Sequence, residues 1–234
     1  MKTLTRQQAK EFYDRFGRKQ DWQAFYEGRP IRALIRNGKF EGASAVFEFG
    51  CGTGRLAETL LEKHLAPGAR FVGVEASETM AFLSKNRLFR FGERATVKLT
   101  DGSSRLDFGT AAFDRFVSCY VFDLLALEEI RDVLLEAHRI LSGGGLLCLI
   151  SLTHGFTGVS RIVERAWQAV FNIRPDWVGG CRPIDLLELV SEPVWHIRYD
   201  DKISSFGVPS EVLIAEKVPD GSNPAPPSLA PLRL

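Results

Sequence analysis

The sequence lacks a long apolar run, a cysteine cluster and any appreciable net charge, and each absence closes off a class of protein. No stretch approaches the ~20 apolar residues that span a bilayer, and the opening M-K-T-L-T-R-Q-Q-A-K has no apolar core of a secretory leader. No transmembrane segment is therefore expected, and the expected location is cytoplasmic. The four cysteines, Cys51, Cys119, Cys148 and Cys181, form no C-x-x-C pair, so neither a metal site nor a redox motif is expected. Two of them stand in apolar runs, where a free thiol packs as a small hydrophobe. A net charge of +1 gives no support to a nucleic-acid partner. The charge is unevenly spread: residues 1–41 hold ten Lys/Arg against five Asp/Glu. That excess suits an anionic substrate or a peripheral membrane contact, although solvated helix faces ordinarily account for such runs. The oligomeric state is not written in the sequence.

What is present is the composition of an ordered globular domain, 45% hydrophobic and 25% charged over 234 residues. The first forty residues read as helices rich in aromatics. Phe12, Tyr13 and Phe16 share one face, and Trp22, Phe25 and Tyr26 another. Pro30 is expected to open a further helical turn through Ile31, Leu34 and Ile35 that Gly38 closes.

From Ala45 the pattern changes to short apolar runs alternating with amphipathic stretches. Strands are expected near Val46–Gly50, Phe71–Val74, Ala95–Leu99, Phe113–Ser118 and Leu146–Ser151. Helices are expected near Arg55–Leu65, Glu78–Phe91 and Glu128–Leu141. The strand runs are continuously apolar, as a parallel sheet buried on both faces requires. After Ser151 come helices near Gly158–Phe171 and Ile184–Val190, separated by a turn-rich stretch at Gly179–Pro183. Strands near Val194–Tyr199 and Ser210–Lys217 follow with no helix between them, which implies an antiparallel edge hairpin. The expected fold is a doubly wound α/β sheet, mostly parallel and seven-stranded, under an N-terminal helical lid. Residues 1–42 would be the cap, 43–218 the main domain, and 219–234, with five prolines, an extended tail.

The chemistry gathers at strand ends. The first strand runs into Glu48-Phe49-Gly50-Cys51-Gly52-Thr53-Gly54-Arg55, where alternate glycines let a turn close and let backbone approach a ligand. The second ends at Glu75, placed to accept both hydroxyl protons of a ribose lying across that turn. The third ends in Thr100-Asp101-Gly102. Ligands of open α/β sheets collect at the carboxyl ends of strands, so Glu48, Glu75 and Asp101 are expected to line one crevice. A nicotinamide-dependent oxidoreductase uses similar parts, but its G-x-G-x-x-G fingerprint is broken here by Arg55.

The runs V-F-E-F-G-C-G-T-G-R, F-V-G-V-E, Asp101-Gly102, F-D-R-F-V-S-C-Y-V-F-D-L-L and R-I-L-S-G-G-G-L-L-C-L-I-S together resemble the class I S-adenosylmethionine-dependent methyltransferases. Within that class the likeness is nearest to the branch of the ubiquinone/menaquinone C-methyltransferases and many small-molecule enzymes, and it covers about residues 45–151. The resemblance implies S-adenosylmethionine as cofactor, S-adenosylhomocysteine as product and a small-molecule acceptor. It places Glu48 and the Gly50, Cys51, Gly52, Thr53 and Gly54 backbone at the amino-acid portion of the cofactor, with Glu48 on its ammonium. Glu75 would bind the ribose, Ala76 and Met80 would pack beside the adenine, and Asp101, Gly102 and Ser103 would meet its edge. Cys119 and Tyr120 would face the sulfonium and methyl. Ser142-Gly143-Gly144-Gly145 departs from the family, which more often has a proline there.

A base is optional in methyl transfer. His154, which follows the fifth strand, is the first candidate if one is needed, with Tyr120 beside it. Tyr13, Phe16, Tyr26 and Arg182 are candidates for the acceptor pocket. A non-catalytic protein that keeps the fold as a cofactor-binding or assembly module is the alternative from another class.

Overall fold

The computed structural model describes residues 4–17, 20–21, 24–174, 179–190 and 193–218. Trp22 and the Pro-rich tail lie outside the described residues. Two helices, α1 (Arg6–Phe16) and α2 (Ala24–Asn37), precede β1 (Ala45–Phe49), α3 (Arg55–Lys63), β2 (Arg70–Glu75), α4 (Glu78–Leu88) and β3 (Ala95–Leu99). Then follow β4 (Phe113–Cys119), α5 (Leu127–Ile140), β5 (Leu141–Leu152), α6 (Gly158–Ile173), α7 (Leu186–Leu189), β6 (Trp195–Ser205) and β7 (Val208–Lys217).

The strands form one seven-stranded sheet in the order β3-β2-β1-β4-β5-β7-β6. β1 to β5 are mutually parallel, and β7 runs antiparallel to both β5 and β6. Side-chain alternation explains why the central runs are apolar throughout. Phe47, Phe116, Leu147, Leu149, Leu213 and Ala215 point to one face, where α5 packs. Val46, Val117, Cys148, Ile150, Val212 and Ile214 point to the other, beneath α2 and α3.

Three local features differ from the sequence reading. Pro30 opens no helix but lies inside α2, where its missing N–H leaves one rung empty. The helix persists because buried Ala33 and Leu34 anchor its later turns in the core. Ser142–Gly145 is not a loop before β5 but a bulge within it, since β4 pairs Phe113 with Leu141 and then Arg115 with Leu146. Gly144 has φ +76° and a side chain on Gly145 would meet Ser142 O at 2.9 Å, so this bulge requires its glycines. The edge strand β6 runs on to Ser205 through Asp200-Asp201-Lys202, because a strand with one partner needs no apolar alternation to hold it.

Buried Arg115 fixes α2 to the sheet. Its Nε donates to Gly38 O at 2.7 Å and its Nη2 to Lys39 O at 2.6 Å, satisfying carbonyls just past the helix end. Arg115→Leu should leave those carbonyls unpaired and lower stability by about 2–4 kcal/mol. Urea unfolding measures this; a loss below about 0.5 kcal/mol would show that the anchor is unimportant.

Candidate active site

The strand order reverses between β1 and β4, and a crevice opens there at the carboxyl ends. Its walls come from four successive strand ends: Phe49, Gly50 and Gly52 after β1; Glu75, Ala76 and Ser77 after β2; Thr100 and Gly102 after β3; Cys119 to Val121 after β4. The space between these atoms is about 900 Å³. A smaller cleft adjoins it, sharing Gln20, Gly50, Gly52, Cys119 and Tyr120 and reaching down to Glu48.

The glycine turn has a physical reason at each position that bears on shape. Gly50, Gly52 and Gly54 all have positive φ, of 74°, 52° and 78°. A side chain on Gly50 would strike Val121 at 2.5 Å, and one on Gly54 would strike Ser84 Oγ at 2.5 Å. The turn is held from across the crevice by Glu75. Its Oε2 accepts from Gly52 N at 2.8 Å, and its Oε1 accepts from Ala76 N and Ser77 N, both at 2.9 Å. Burial raises the Glu75 carboxyl above its ordinary range, and those three amides pull it back.

Glu48 is different. It is buried, its Oε2 has no hydrogen-bond partner, and burial together with the charge of Glu75 pushes its carboxyl well above the usual range. Such an orphaned buried oxygen is an exception, since buried polar atoms are ordinarily paired. Beyond it lies an ionic net. Arg55 pairs with buried Glu27 of α2, whose carboxyl burial raises to about 7 against the pull of that arginine. Asp21 Oδ1 accepts from Thr53 Oγ1 at 2.6 Å and its Oδ2 from Arg87 Nη2 at 2.6 Å.

Helix α1 crosses the mouth of the crevice, contributing Arg6, Ala9, Lys10 and Tyr13 to its wall, with Leu4 just before it. It buries none of its own side chains. Its attachments are ion pairs from Arg6 to Glu129 at 2.7 Å and from Lys10 to Glu78 at 2.8 Å. Asp14 Oδ1 also accepts from Ser77 Oγ at 2.6 Å and from Thr79 N at 3.2 Å.

The structure brings most of the expected residues to these two cavities. Gly50, Gly52, Glu75, Ala76, Met80, Gly102, Cys119, Tyr120 and Tyr13 line the main crevice, and Glu48, Cys51 and Thr53 line the smaller cleft. Gly54 caps α3 behind them. Tyr120 is held at φ +57°, with its hydroxyl 3.0 Å from Ser210 Oγ. Asp101 is exposed at the rim, where its Oδ1 accepts from Ser103 N at 2.8 Å, a contact that keeps its carboxyl below the ordinary range. Phe16 stacks on Phe12 outside the lining, and Tyr26 is buried behind the wall, edge-on to Tyr120 with ring centroids 5.7 Å apart.

Two expected residues lie elsewhere. His154 is exposed and its Nδ1 sits 2.7 Å from Glu164 Oε1, outside both cavities. Arg182 is buried behind the wall, donating to Leu125 O. Its neighbour Asp123 escaped the sequence reading altogether. Asp123 is fully buried, neither carboxyl oxygen meets a well-directed donor, and burial raises it to about 7 despite the opposing field of Arg182. Tyr13 and Cys181 lie within its electrostatic reach, and their hydroxyl and sulfur are 3.9 Å apart. Gln20, Asp21, Glu27 and Arg55 were also unforeseen. Their spacing carries no signal, and the fold alone unites them. Among the described residues, no group of His, Cys, Asp or Glu is arranged to hold a metal ion, and no helix is long and apolar enough to cross a membrane.

The deciding comparison concerns the segment that builds this crevice. Residues 46–145 match the family model described as a methyltransferase domain. No curated protein matches the chain in sequence. Among solved structures, an S-adenosylmethionine-dependent methyltransferase of Methanosarcina mazei superposes with a TM-score of 0.63 at 18% identity, over 80% of this chain and 98% of the other. Geranyl diphosphate C-methyltransferase of Streptomyces coelicolor, solved with geranyl diphosphate and S-adenosylhomocysteine, gives 0.61 at 16% identity, over 82% and 79%. Magnesium protoporphyrin IX methyltransferase of Synechocystis, with bound S-adenosylhomocysteine, gives 0.60 at 17% identity, over 81% of each chain. The fold is that of the S-adenosylmethionine-dependent methyltransferases.

The raised carboxyl of Asp123 makes stability depend on pH with a definite sign. The unfolded chain ionises this group near its ordinary 3.8 and the folded chain near 7, so the fold retains the proton and loses stability as pH rises between them. The linkage amounts to a few kcal/mol, roughly 4 at most. Asp123→Asn should therefore leave thermal stability nearly unchanged at pH 4 and raise it at pH 8. Equal melting shifts at both pH values would show that Asp123 is not a buried acid of this kind.

Proposed function

We propose that this chain is an S-adenosylmethionine-dependent methyltransferase acting on a small or lipid-like acceptor by in-line methyl transfer. The observation that carries the reading is the unpartnered Glu48 carboxylate at the floor of a glycine cradle that side chains would fill. Glu48 would take the ammonium of the cofactor's amino-acid portion, and the Gly50–Gly54 backbone would pack against that portion. Glu75 would receive the ribose hydroxyls, with Ala76 and Met80 beside the adenine and Asp101, Gly102 and Ser103 at its edge. The cofactor supplies a methyl group already activated on a sulfonium. What remains for the protein is alignment, which is worth up to roughly 7–11 kcal/mol in well-oriented systems.

Cys119 and Tyr120, at the end of β4, would border the transferred methyl. Burial pushes both their thiol and phenol well above their ordinary values, so they act here as neutral walls rather than as nucleophiles. Tyr13 closes the acceptor side. Exposed His154 lies outside both cavities, and buried Asp123 lies behind that side near Cys181 and Tyr13; the reading needs neither as a base, because the methyl group arrives activated. The mostly apolar lining, with Leu4, Val121, Leu124 and Leu125, favours a hydrophobic acceptor. The likeness of residues 45–151 to the ubiquinone/menaquinone branch and the geranyl diphosphate substrate of one structural neighbour agree with that class.

Isothermal calorimetry tests the reading. S-adenosylmethionine and S-adenosylhomocysteine should bind at micromolar concentration and a nicotinamide dinucleotide should not. Glu75→Ala should weaken the homocysteine product by about 1–3 kcal/mol. Glu48→Gln should weaken it comparably, yet leave 5′-methylthioadenosine, which lacks the ammonium, bound as before. Equal losses for both ligands would remove Glu48 from the ammonium site, and absence of binding by the wild-type chain would end the methyltransferase reading. A radiolabelled-methyl screen of apolar acceptors then identifies the substrate.

A further inference from the structure

The β6–β7 hairpin ends in an unusual tip. Phe206 is 81% exposed in a left-handed conformation, φ +52°, a position where a polar turn residue is the ordinary choice. It is not alone. Phe25, at the start of α2 and 59% exposed, packs on it with ring centroids 5.7 Å apart. On the other flank Gly207 abuts Val159 and Val163 of α6, and Val159 and Ile162 stay more than 60% exposed. Two helices and a hairpin thus present one projecting apolar surface, where isolated exposed side chains would need no explanation.

The charges nearest the tip are cationic, whereas Arg36, farther along α2, stands within reach of Tyr199 and so level with Asp200 and Asp201. Phe25, Arg29, Arg32 and Arg36 recur at spacings of four, three and four residues along α2, and all four are exposed. Arg29 reaches the hairpin itself, donating to Ser204 O at 3.1 Å. Arg161 and Arg165 are exposed on α6 beside Ile162. The carboxylates on the same elements are engaged inward or sideways, Glu27 with Arg55, Glu164 with His154, and Asp185 with Lys202. Asp200 and Asp201 lie down β6, about 15 Å from the tip at strand rise.

The patch is also joined to the crevice. Phe206 contacts Phe25, Phe25 contacts Tyr26 at 5.2 Å, and Tyr26 contacts Tyr120 at 5.7 Å, an unbroken aromatic line from the tip to the wall at the end of β4. We propose that the Phe25–Phe206 tip and the arginines flanking it dock this protein on an anionic lipid bilayer. Aromatic tips enter the headgroup boundary while the guanidinium groups meet lipid phosphates. The cationic flank of Arg29, Arg161 and Arg165 complements lipid phosphates, and this match of charge beside exposed aromatics commits the surface to a bilayer. That the bilayer also delivers the acceptor rests on the function proposed above; the docking does not.

The test is flotation of the full chain with vesicles of phosphatidylcholine alone and of phosphatidylcholine mixed equally with phosphatidylglycerol. Binding should appear with the anionic vesicles only and weaken as salt rises. The double variant Phe25→Ser, Phe206→Ser should lose about ten-fold or more of that binding, and Arg29→Glu with Arg161→Glu should also lose it. Both variants should bind S-adenosylhomocysteine as the wild type does, which reports an intact fold. Wild-type failure to float, or flotation undiminished in both variants, would overturn the proposal. So would analytical ultracentrifugation showing a wild-type dimer that Phe206→Ser dissociates, because the patch would then belong to a second copy. Vesicle binding without S-adenosylhomocysteine binding leaves the docking standing and removes the methyltransferase reading; the opposite pattern removes only the docking.

Discussion

Glu75 spends both carboxyl oxygens on backbone amides from two different strand ends, and the shape of the crevice follows from that. Gly52 N comes from the turn after β1, Ala76 N and Ser77 N from the turn after β2. Gly50 N and Cys51 N donate to Val74 O at the base of the turn, and the Glu75 bridge adds the restraint on Gly52 at its tip, where positive φ leaves the backbone most entropy to lose. An ionised carboxylate has about four acceptor positions, and three are occupied. A pair of ribose hydroxyls therefore has to share or displace an amide, so ligand binding and the conformation of the glycine turn are coupled through this one side chain.

The same economy explains the unfavourable electrostatics nearby. Glu75 lies close enough to raise the buried Glu48 carboxyl further, and Glu48 Oε2 has no partner among the described residues. A fold selected for stability alone would not keep an unpaired acid there, because removing such a group from water without a partner costs several kcal/mol. Its place beside a cradle too tight for side chains is what supports the ammonium role proposed for it. Asp123 presents a second case, an acid held near neutrality behind the opposite wall. Two carboxyls with raised proton affinity on two sides of one crevice are the mark of a site rather than of a core.

The sheet and its strand ends were legible because a parallel sheet writes itself into sequence as continuous apolar runs, and because alternate glycines at 50, 52 and 54 mark a turn of positive φ that other residues rarely adopt. The turn at Glu75 was legible for the same reason. Glu27, Asp21, Gln20 and Asp123 were not. Each gains its meaning from tertiary neighbours: Glu27 from Arg55 across 28 positions, Asp21 from Arg87 across 66, Asp123 from Arg182 and Cys181. His154 misled for the complementary reason. Its place after β5 suggested the ligand side, but Glu164, nearly two turns into α6, pairs with it outside the crevice, and no pattern along the chain encodes that pairing. The β5 bulge was read as a loop because three glycines mark both, and only the pairing of Phe113 with Leu141 tells them apart.

Helix α1 shows how a crevice of this depth can exchange a ligand of nucleoside size. A lid secured by apolar burial would open rarely, because each buried large side chain adds roughly 1.5–3 kcal/mol. α1 has no fully buried side chain, only half-buried Phe12, Tyr13 and Phe16, and is otherwise tied down by Arg6–Glu129, Lys10–Glu78 and the Asp14 contacts. Exposed ion pairs of that sort are worth at most about 1 kcal/mol apiece and weaken with salt. Three weak, screened attachments close the mouth while leaving local opening inexpensive compared with unfolding the sheet. The aromatic line from Phe206 to Tyr120 enters from the opposite flank, through α2, which Arg115 and a buried apolar face hold firmly. One wall of the crevice is therefore built to move and the other to stay.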